Sequence, residues 1–155
     1  MPEPTIRSAR PSDIDQLVDM GRDFTYEGKE PVPDRDPSYD GAARAFLNGA
    51  IAGNSWEIWV AEMDGRLVSH AFFALIDKVP RPGQTHSRIA YLTNVYTLPD
   101  YRGRGIGARV VQRAQDAAQL QAVELMIVWP SDESVDFYAR EGFMAPKDVL
   151  VWAAK

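Results

Sequence analysis

Residues 88–129 constrain the fold more than any other part of this chain, because their hydrophobic period changes twice within about forty positions. Residues 88–98 are dense in β-branched and aromatic side chains and read as a strand, which Pro99 ends. The turn Arg102, Gly103, Arg104, Gly105, Ile106, Gly107 follows directly. Beyond it Ile106, Val110, Val111, Ala114, Ala117 and Ala118 recur at helical spacing. Residues 123–129 are then apolar except for Glu124, the pattern of a strand covered on both faces. Strand, tight turn, helix and strand make one β-α-β crossover, and a crossover requires at least one parallel pair.

The flanking segments do not repeat that unit. Residues 4–9 read as a short strand. Ser12 reads as a helix N-cap with Asp15 three residues on, ahead of Ile14, Leu17, Val18, Gly21 and Phe24 at helical spacing. Residues 28–37 hold three prolines and dense charge and form a loop. Ala42, Ala43, Phe46, Leu47, Ala50 and Ile51 define a second helix, stopped at Gly53 and Asn54. Residues 56–63 and 66–76, joined by Asp64-Gly65, carry the signature of a β-hairpin. Ser131 caps a short helix that Gly142 ends, and residues 143–153 supply two further short strands. The expectation is one α/β domain over residues 1–155, with a mixed central sheet flanked by helices rather than a doubly wound one.

Composition narrows the chemistry. The chain has no cysteine, which excludes disulfides, thiolate metal sites and a cysteine nucleophile. A net charge of −5 speaks against nucleic acid or an anionic membrane as partner. No apolar run approaches ~20 residues and the first residues have no signal-type core, so a soluble cytoplasmic protein is expected. His70 and His86 have no recognisable metal or nucleophile partner, and no metal site is expected. The charge is unevenly spread. Residues 11–40 hold nine acids against three bases, whereas residues 101–113 hold four arginines and no acid.

That basic stretch coincides with the glycine-rich turn. The first N–H groups of a helix lack internal partners, and the helix dipole adds roughly half a positive charge there. Glycines let a phosphate approach the backbone, and Arg102, Arg104 and Arg109 add formal charge. No Gly-Lys-Ser/Thr follows, which excludes a P-loop. Gly103, Gly105 and Ala108 do match the loose dinucleotide pattern, but the nearest suitable acid, Glu124, falls at the start of its strand, where a ribose-binding acid does not sit.

The turn and its surroundings resemble the GNAT N-acetyltransferase superfamily. Arg102, Gly105 and Gly107 match its [RQ]-x-x-G-x-[GA] acetyl-CoA motif, preceded by Thr97, Pro99 and Tyr101 at the family's spacing. Tyr138, Gly142 and Phe143 match its second signature, with Phe137 in the usual apolar place. The resemblance implies that backbone amides from Arg104 through Gly105, Ile106, Gly107 and Ala108 to Arg109 hold the pyrophosphate of acetyl-CoA, with Gly103 shaping the turn. It implies that backbone near Tyr96, Thr97 and Leu98 bonds the pantetheine and thioester and stabilises an oxyanion. It makes Tyr138 the general acid for the departing thiolate; a phenol of pKa about 10 donates to a thiolate whose conjugate acid lies at about 8.5 when the two are in hydrogen-bond reach. The residue is also placed to pack in the core beside Phe137 and Phe143.

Two positions depart from the family's pattern. Ser131 stands where an asparagine is common and still offers a hydroxyl to the cofactor. Asn94 stands where many members carry a glutamate base. Either Asn94 orients a water that relays the proton to a more distant carboxylate, or the acceptor amine binds already neutral. The family builds its acceptor wall from the first two helices and their loop, which in this chain is the acidic stretch. There Glu27, Glu30, Asp34 and Asp36 are placed to attract a cationic amine and Tyr26, Tyr39 and Trp129 to wall it. Glu27 is the strongest candidate because it ends the first helix; Asp13, Asp15, Asp19 and Asp23 read as its solvated outer face. The acceptor is expected to be a small-molecule or peptide amine. Homodimers are common among the proteins this chain resembles. A catalytically silent module that binds acetyl-CoA as a sensor is the alternative, kept open by Asn94.

Overall fold

A computed structural model of the chain describes residues 2–155. Its five-stranded sheet runs in chain order: β1 (Thr5–Ser8), β2 (Trp56–Met63), β3 (Arg66–Asp77), β4 (Arg88–Thr97) and β5 (Val123–Val128). The first four strands are antiparallel, and β5 joins β4 in parallel through the crossover helix. Asp64 and Gly65 both take positive φ, which gives the β2–β3 hairpin the turn geometry that matches strand twist.

Successive strand residues point to opposite faces, and both faces of this sheet are apolar. On one face Ile58, Val60, Leu67 and Phe72 pack against α1 (Ile14–Tyr26) and α2 (Pro37–Ala52) through Leu17, Val18 and Leu47. On the other Ala61, Val68, Phe73, Ala90 and Leu92 meet α3 (Ile106–Gln119) through Val110, Val111 and Ala114, which are wholly buried. Tyr138, on the short α4 (Val135–Arg140), closes the second core. Each buried Val, Leu, Ile or Phe among them contributes about 1.5–3 kcal/mol, so the sheet is clamped from both sides.

Three local expectations are corrected. Ser12 does not cap α1; it lies in a 3-10 turn over Pro11–Asp13. Asp13 is the N-cap residue of α1 but makes no side-chain cap bond to it; its carboxylate accepts from the Arg10 N–H at 2.7 Å, across the 3-10 turn. Asp13 is also not a solvated helix acid. It is 4% exposed and accepts from Arg7 at 2.7 and 2.9 Å, while Arg7 also reaches Glu62. Burial alone raises the Asp13 pKa, but the bonds from Arg7 and Arg10 outweigh it and hold the carboxyl below its usual range. Finally, residues 143–153 form no strand. A strand needs a ladder partner, and here this segment has none.

Candidate functional site

The site forms where β4 loses one neighbour. Pairing of β4 with β5 runs from Arg88 opposite Val123 to Leu92 opposite Val128 and stops there. Pairing with β3 continues to Thr97. Residues 93–97 therefore border open space on the β5 side, and this space is a cleft of about 760 Å³. That volume suits a sizeable organic ligand.

One wall is the first turn of α3. Gly105 caps the helix at φ 72°, a conformation that costs other L-residues roughly 1–2 kcal/mol. The first intrahelical bond is Arg109 N–H to the Gly105 carbonyl at 3.1 Å. The N–H groups of Gly105, Ile106, Gly107 and Ala108 precede it and find no backbone acceptor among the described residues. Gly107 has a second role: a Cβ there would lie 3.0 Å from Thr97 Oγ1 and 3.9 Å from the Phe137 ring. Its bare backbone is what lets α3 start so close to β4 and α4.

Of the six expected pyrophosphate amides that of Arg109 is excluded, and Arg104 does not line the cleft. The Arg109 amide is spent inside the helix and its guanidinium pairs with Glu3. Arg104 lies over the Tyr101 ring at 5.4 Å. Leu98 is also corrected as a donor, since its N–H goes to the Val68 carbonyl at 2.9 Å. By ladder alternation Tyr96 N–H faces β3 as well, and that of Thr97 faces the open side. Tyr96 and Thr97 both line the cleft; Leu98 does not.

Asn94 lines the cleft too, and its position has a structural cause. One β3 residue, Ala71, opposes both Asn94 and Val95, so β4 bulges there. Asn94 has φ 48°, in the left-handed region that asparagine tolerates best after glycine. Its carbonyl accepts from Nδ1–H of His70 at 2.6 Å. His70 is fully buried beside Phe72 and Tyr96, and burial pushes its pKa down to about 4. The imidazole is therefore neutral and anchors the bulge.

The opposite wall carries Ser131, Ser134, Phe137 and Tyr138. Tyr138 is 9% exposed, set edge-on to Phe137 and Phe143 at 5.1 and 5.5 Å, and burial raises its pKa. The ring is packed in the core and the residue also borders the cleft. The Ser131 hydroxyl does not cap α4 but donates to Ser134 Oγ at 3.0 Å.

At the mouth, Arg102 ties three elements together. Its Nη2 lies 2.8 Å from Glu27 at the end of α1, its Nε donates to the Thr97 carbonyl at 2.9 Å, and its plane lies 5.6 Å over Tyr96. Glu27 is thus neutralised within the protein rather than left to draw a cation, and it does not line the cleft. Two other acceptor-side candidates, Asp36 and Tyr39, are also occupied. Asp36 caps α2 through the Ser38 N–H at 2.9 Å, and the Tyr39 hydroxyl donates to the Val18 carbonyl at 3.1 Å. Tyr26 lies under Arg22 and Lys29, away from the cleft. Only Trp129 of the three expected aromatics lines it, set against Tyr91 at 5.1 Å.

Sequence reading missed Phe24 as a site residue. It ends the apolar stripe of α1, yet it is 41% exposed, lies 4.9 Å from Tyr96 and lines the cleft. Its place at the helix end, beside Glu27, was the available signal. Nothing in the sequence marked His70 as the anchor of Asn94. Glu124 bonds Lys78 at 2.6 Å and Gln84, and it lies outside the cleft, which removes the dinucleotide reading's acid. Among the described residues no cluster of metal-ligating side chains occurs, and no helix is long and apolar enough to cross a membrane.

This arrangement has known counterparts. Residues 54–145 match the family model for the acetyltransferase (GNAT) domain. An uncharacterised N-acetyltransferase of Methanocaldococcus jannaschii is 23% identical over 151 residues, covering 96% of this chain. This chain spans only 64% of that relative's length. A predicted acetyltransferase from Clostridium acetobutylicum, solved with acetyl-CoA, superposes with a TM-score of 0.77 at 28% identity, covering 97% of this chain and 96% of that one. Glucosamine-6-phosphate N-acetyltransferase from Arabidopsis thaliana shares the fold at 19% identity, with a TM-score of 0.72 covering 99% of each chain. With its mixed sheet, its open β4 and its matched residues, the chain belongs to the GNAT acetyltransferase family.

Proposed function

We propose that this protein transfers an acetyl group from acetyl-CoA to an amine by direct attack on the thioester. The observation that carries the reading is the opening of one cleft onto both the unpartnered N–H groups of residues 105–108 and the unpaired half of β4. The first suits a pyrophosphate and the second an extended amide arm. Gly107 brings the two together, because a Cβ there would lie 3.0 Å from Thr97 Oγ1 and hold α3 away from β4. The Clostridium acetobutylicum neighbour, solved with acetyl-CoA, supports the same ligand.

In this reading the amine lone pair attacks the thioester carbonyl carbon, and the Thr97 N–H stabilises the oxyanion. The C–S bond then breaks, Tyr138 gives its phenolic proton to the leaving sulfur, and the proton shed by the attacking nitrogen passes through water to restore the phenol. Burial holds Tyr138 protonated at neutral pH, as a proton donor must be. Asn94 has no proton-accepting group, and Glu27 is paired with Arg102. The acceptor therefore reacts as its neutral amine, with Asn94 orienting it or a water. Glu27 pairs with Arg102 at the mouth and offsets its charge.

Thermal unfolding with acetyl-CoA, NAD and no ligand tests the site. Acetyl-CoA at ~100 times its Kd should add about 2.7 kcal/mol of stability, and a response to NAD alone would overturn the assignment. Gly105→Val should abolish the acetyl-CoA response. Thiol release across a panel of amines tests the reaction. Stabilisation by acetyl-CoA with no release for any amine, but with acceptor-independent binding intact, would instead support the sensor reading that Asn94 keeps open.

A further inference from the structure

The acidic stretch of residues 11–40 lends the cleft a single side chain, and it is Phe24 rather than a carboxylate. The carboxylates that do line the cleft, Glu133 and Glu141, flank α4, which packs on the α3 side of the sheet. The other face is aromatic where it borders the cleft. Tyr96 belongs to the core under α1 and α2, and Phe24 lies 4.9 Å from it. Tyr91 falls between Ala90 and Leu92, and Trp129 follows Val128. Those neighbours pack on the α3 side, so by alternation Tyr91 and Trp129 point to the α1 and α2 side, where their rings meet at 5.1 Å. Phe24 and Trp129 keep 41% and 64% of their surface exposed. The charges nearby are already paired: Glu27 with Arg102, and Asp19 and Asp40 with Arg35. Arg102 also covers the Tyr96 ring, so a second cation stacked there would meet like charge.

We infer that the acceptor carries its amine on an uncharged, ring-sized apolar group seated against Phe24, Tyr96 and Trp129, and that Phe24 determines this specificity. The inference rests on the acetyl-transfer reading of the cleft. It places the acceptor across β4 from the pyrophosphate amides, so that amine and thioester meet at the open residues 93–97. A ring seated here leaves water and packs against the rings already present. The same wall serves the chemistry. An apolar surrounding disfavours the ammonium form of an amine held against it, which supplies a neutral nucleophile where β4 offers Asn94 rather than a carboxylate. A polyamine or an aminated sugar would have to strip several ammonium groups of water with no carboxylate on this side to replace it.

Titration calorimetry on the full chain saturated with CoA, which has no acetyl group to transfer, tests the preference apart from the reaction. Phenethylamine should bind at least about 10-fold more tightly than ethylamine or spermidine, with little change between low and high salt. Phe24→Ala should remove about 10-fold of that advantage while CoA affinity and melting temperature hold, and Phe24→Leu should restore most of it. In thiol release with acetyl-CoA the same loss should appear in KM more than in kcat. Tighter binding of spermidine than of phenethylamine would overturn the inference, as would binding of neither. A preference that survives both Phe24→Ala and Trp129→Ala would overturn it equally. Phenethylamine binding without thiol release for any amine would sink the transfer reading and leave the pocket standing; thiol release confined to spermidine would do the reverse.

Discussion

The two halves of β4 belong to one strand and have different neighbours. Residues 88–92 lie between β3 and β5, and their inward side chains Ala90 and Leu92 are wholly buried. Residues 93–97 have β3 on one side and the cleft on the other. In the first half every ladder group is spent on the fold. In the second the bulge at Asn94 and the end of the β5 pairing leave backbone and side chains facing a ligand space. A strand becomes a binding surface where its ladder stops, and its stability there comes from the other side.

Substitutions in the two halves should therefore separate stability from activity. The largest effect is expected in the paired half, where Leu92→Ala removes buried volume between the sheet and α3. Chemical denaturation should show a loss of about 2–5 kcal/mol. Next comes the anchor of the open half. His70 has a folded pKa of about 4 against 6.5 when unfolded, so the unfolded chain binds the extra proton between those values. Its contribution is complete above pH 6.5 and is lost as pH falls towards 4, by about 3 kcal/mol. His70→Phe should flatten that part of the stability profile relative to the parent, and an unchanged profile would remove the buried neutral imidazole from the account.

Tyr138→Phe keeps the ring packing and deletes the hydroxyl. Its expected cost is roughly 100-fold in turnover, about 2.7 kcal/mol, with acetyl-CoA affinity and melting temperature nearly unchanged. A drop in melting temperature of the same size would make Tyr138 a core residue only. The smallest effect belongs to the mouth. Glu27→Gln releases the exposed guanidinium of Arg102, and titration calorimetry should find acetyl-CoA bound up to about 5-fold more tightly, less so at high salt. Weaker binding would mean that Glu27 holds Arg102 in its productive place.

Much of the architecture was legible because it rests on periodicity. The apolar spacing of α1 and α3, the Asp64-Gly65 hairpin and the run of β5 each state their own conformation locally. The glycine turn was legible for the same reason, since glycine is the residue that reaches the positive φ taken at Gly105 without strain. Partner choice was not. Asp13 reads as one more acid on a polar helix face until β1 brings Arg7 against it. Arg102 and Glu27 are separated by 75 positions, and Leu98 is a possible donor until Val68 takes its N–H.

By itself the sequence determined the order of the elements, the crossover and a turn able to receive an anion. These follow from local sterics and from the side-chain period of each segment. Only the tertiary structure decided where β5 parts from β4, that His70 pins Asn94, and that the acidic loop spends Glu27 and Asp36 on its own fold. Hydrogen bonds and ion pairs are contests between donors and acceptors brought together from distant positions. Their outcome is set by which groups arrive within about 3 Å, and that is a property of packing rather than of order along the chain.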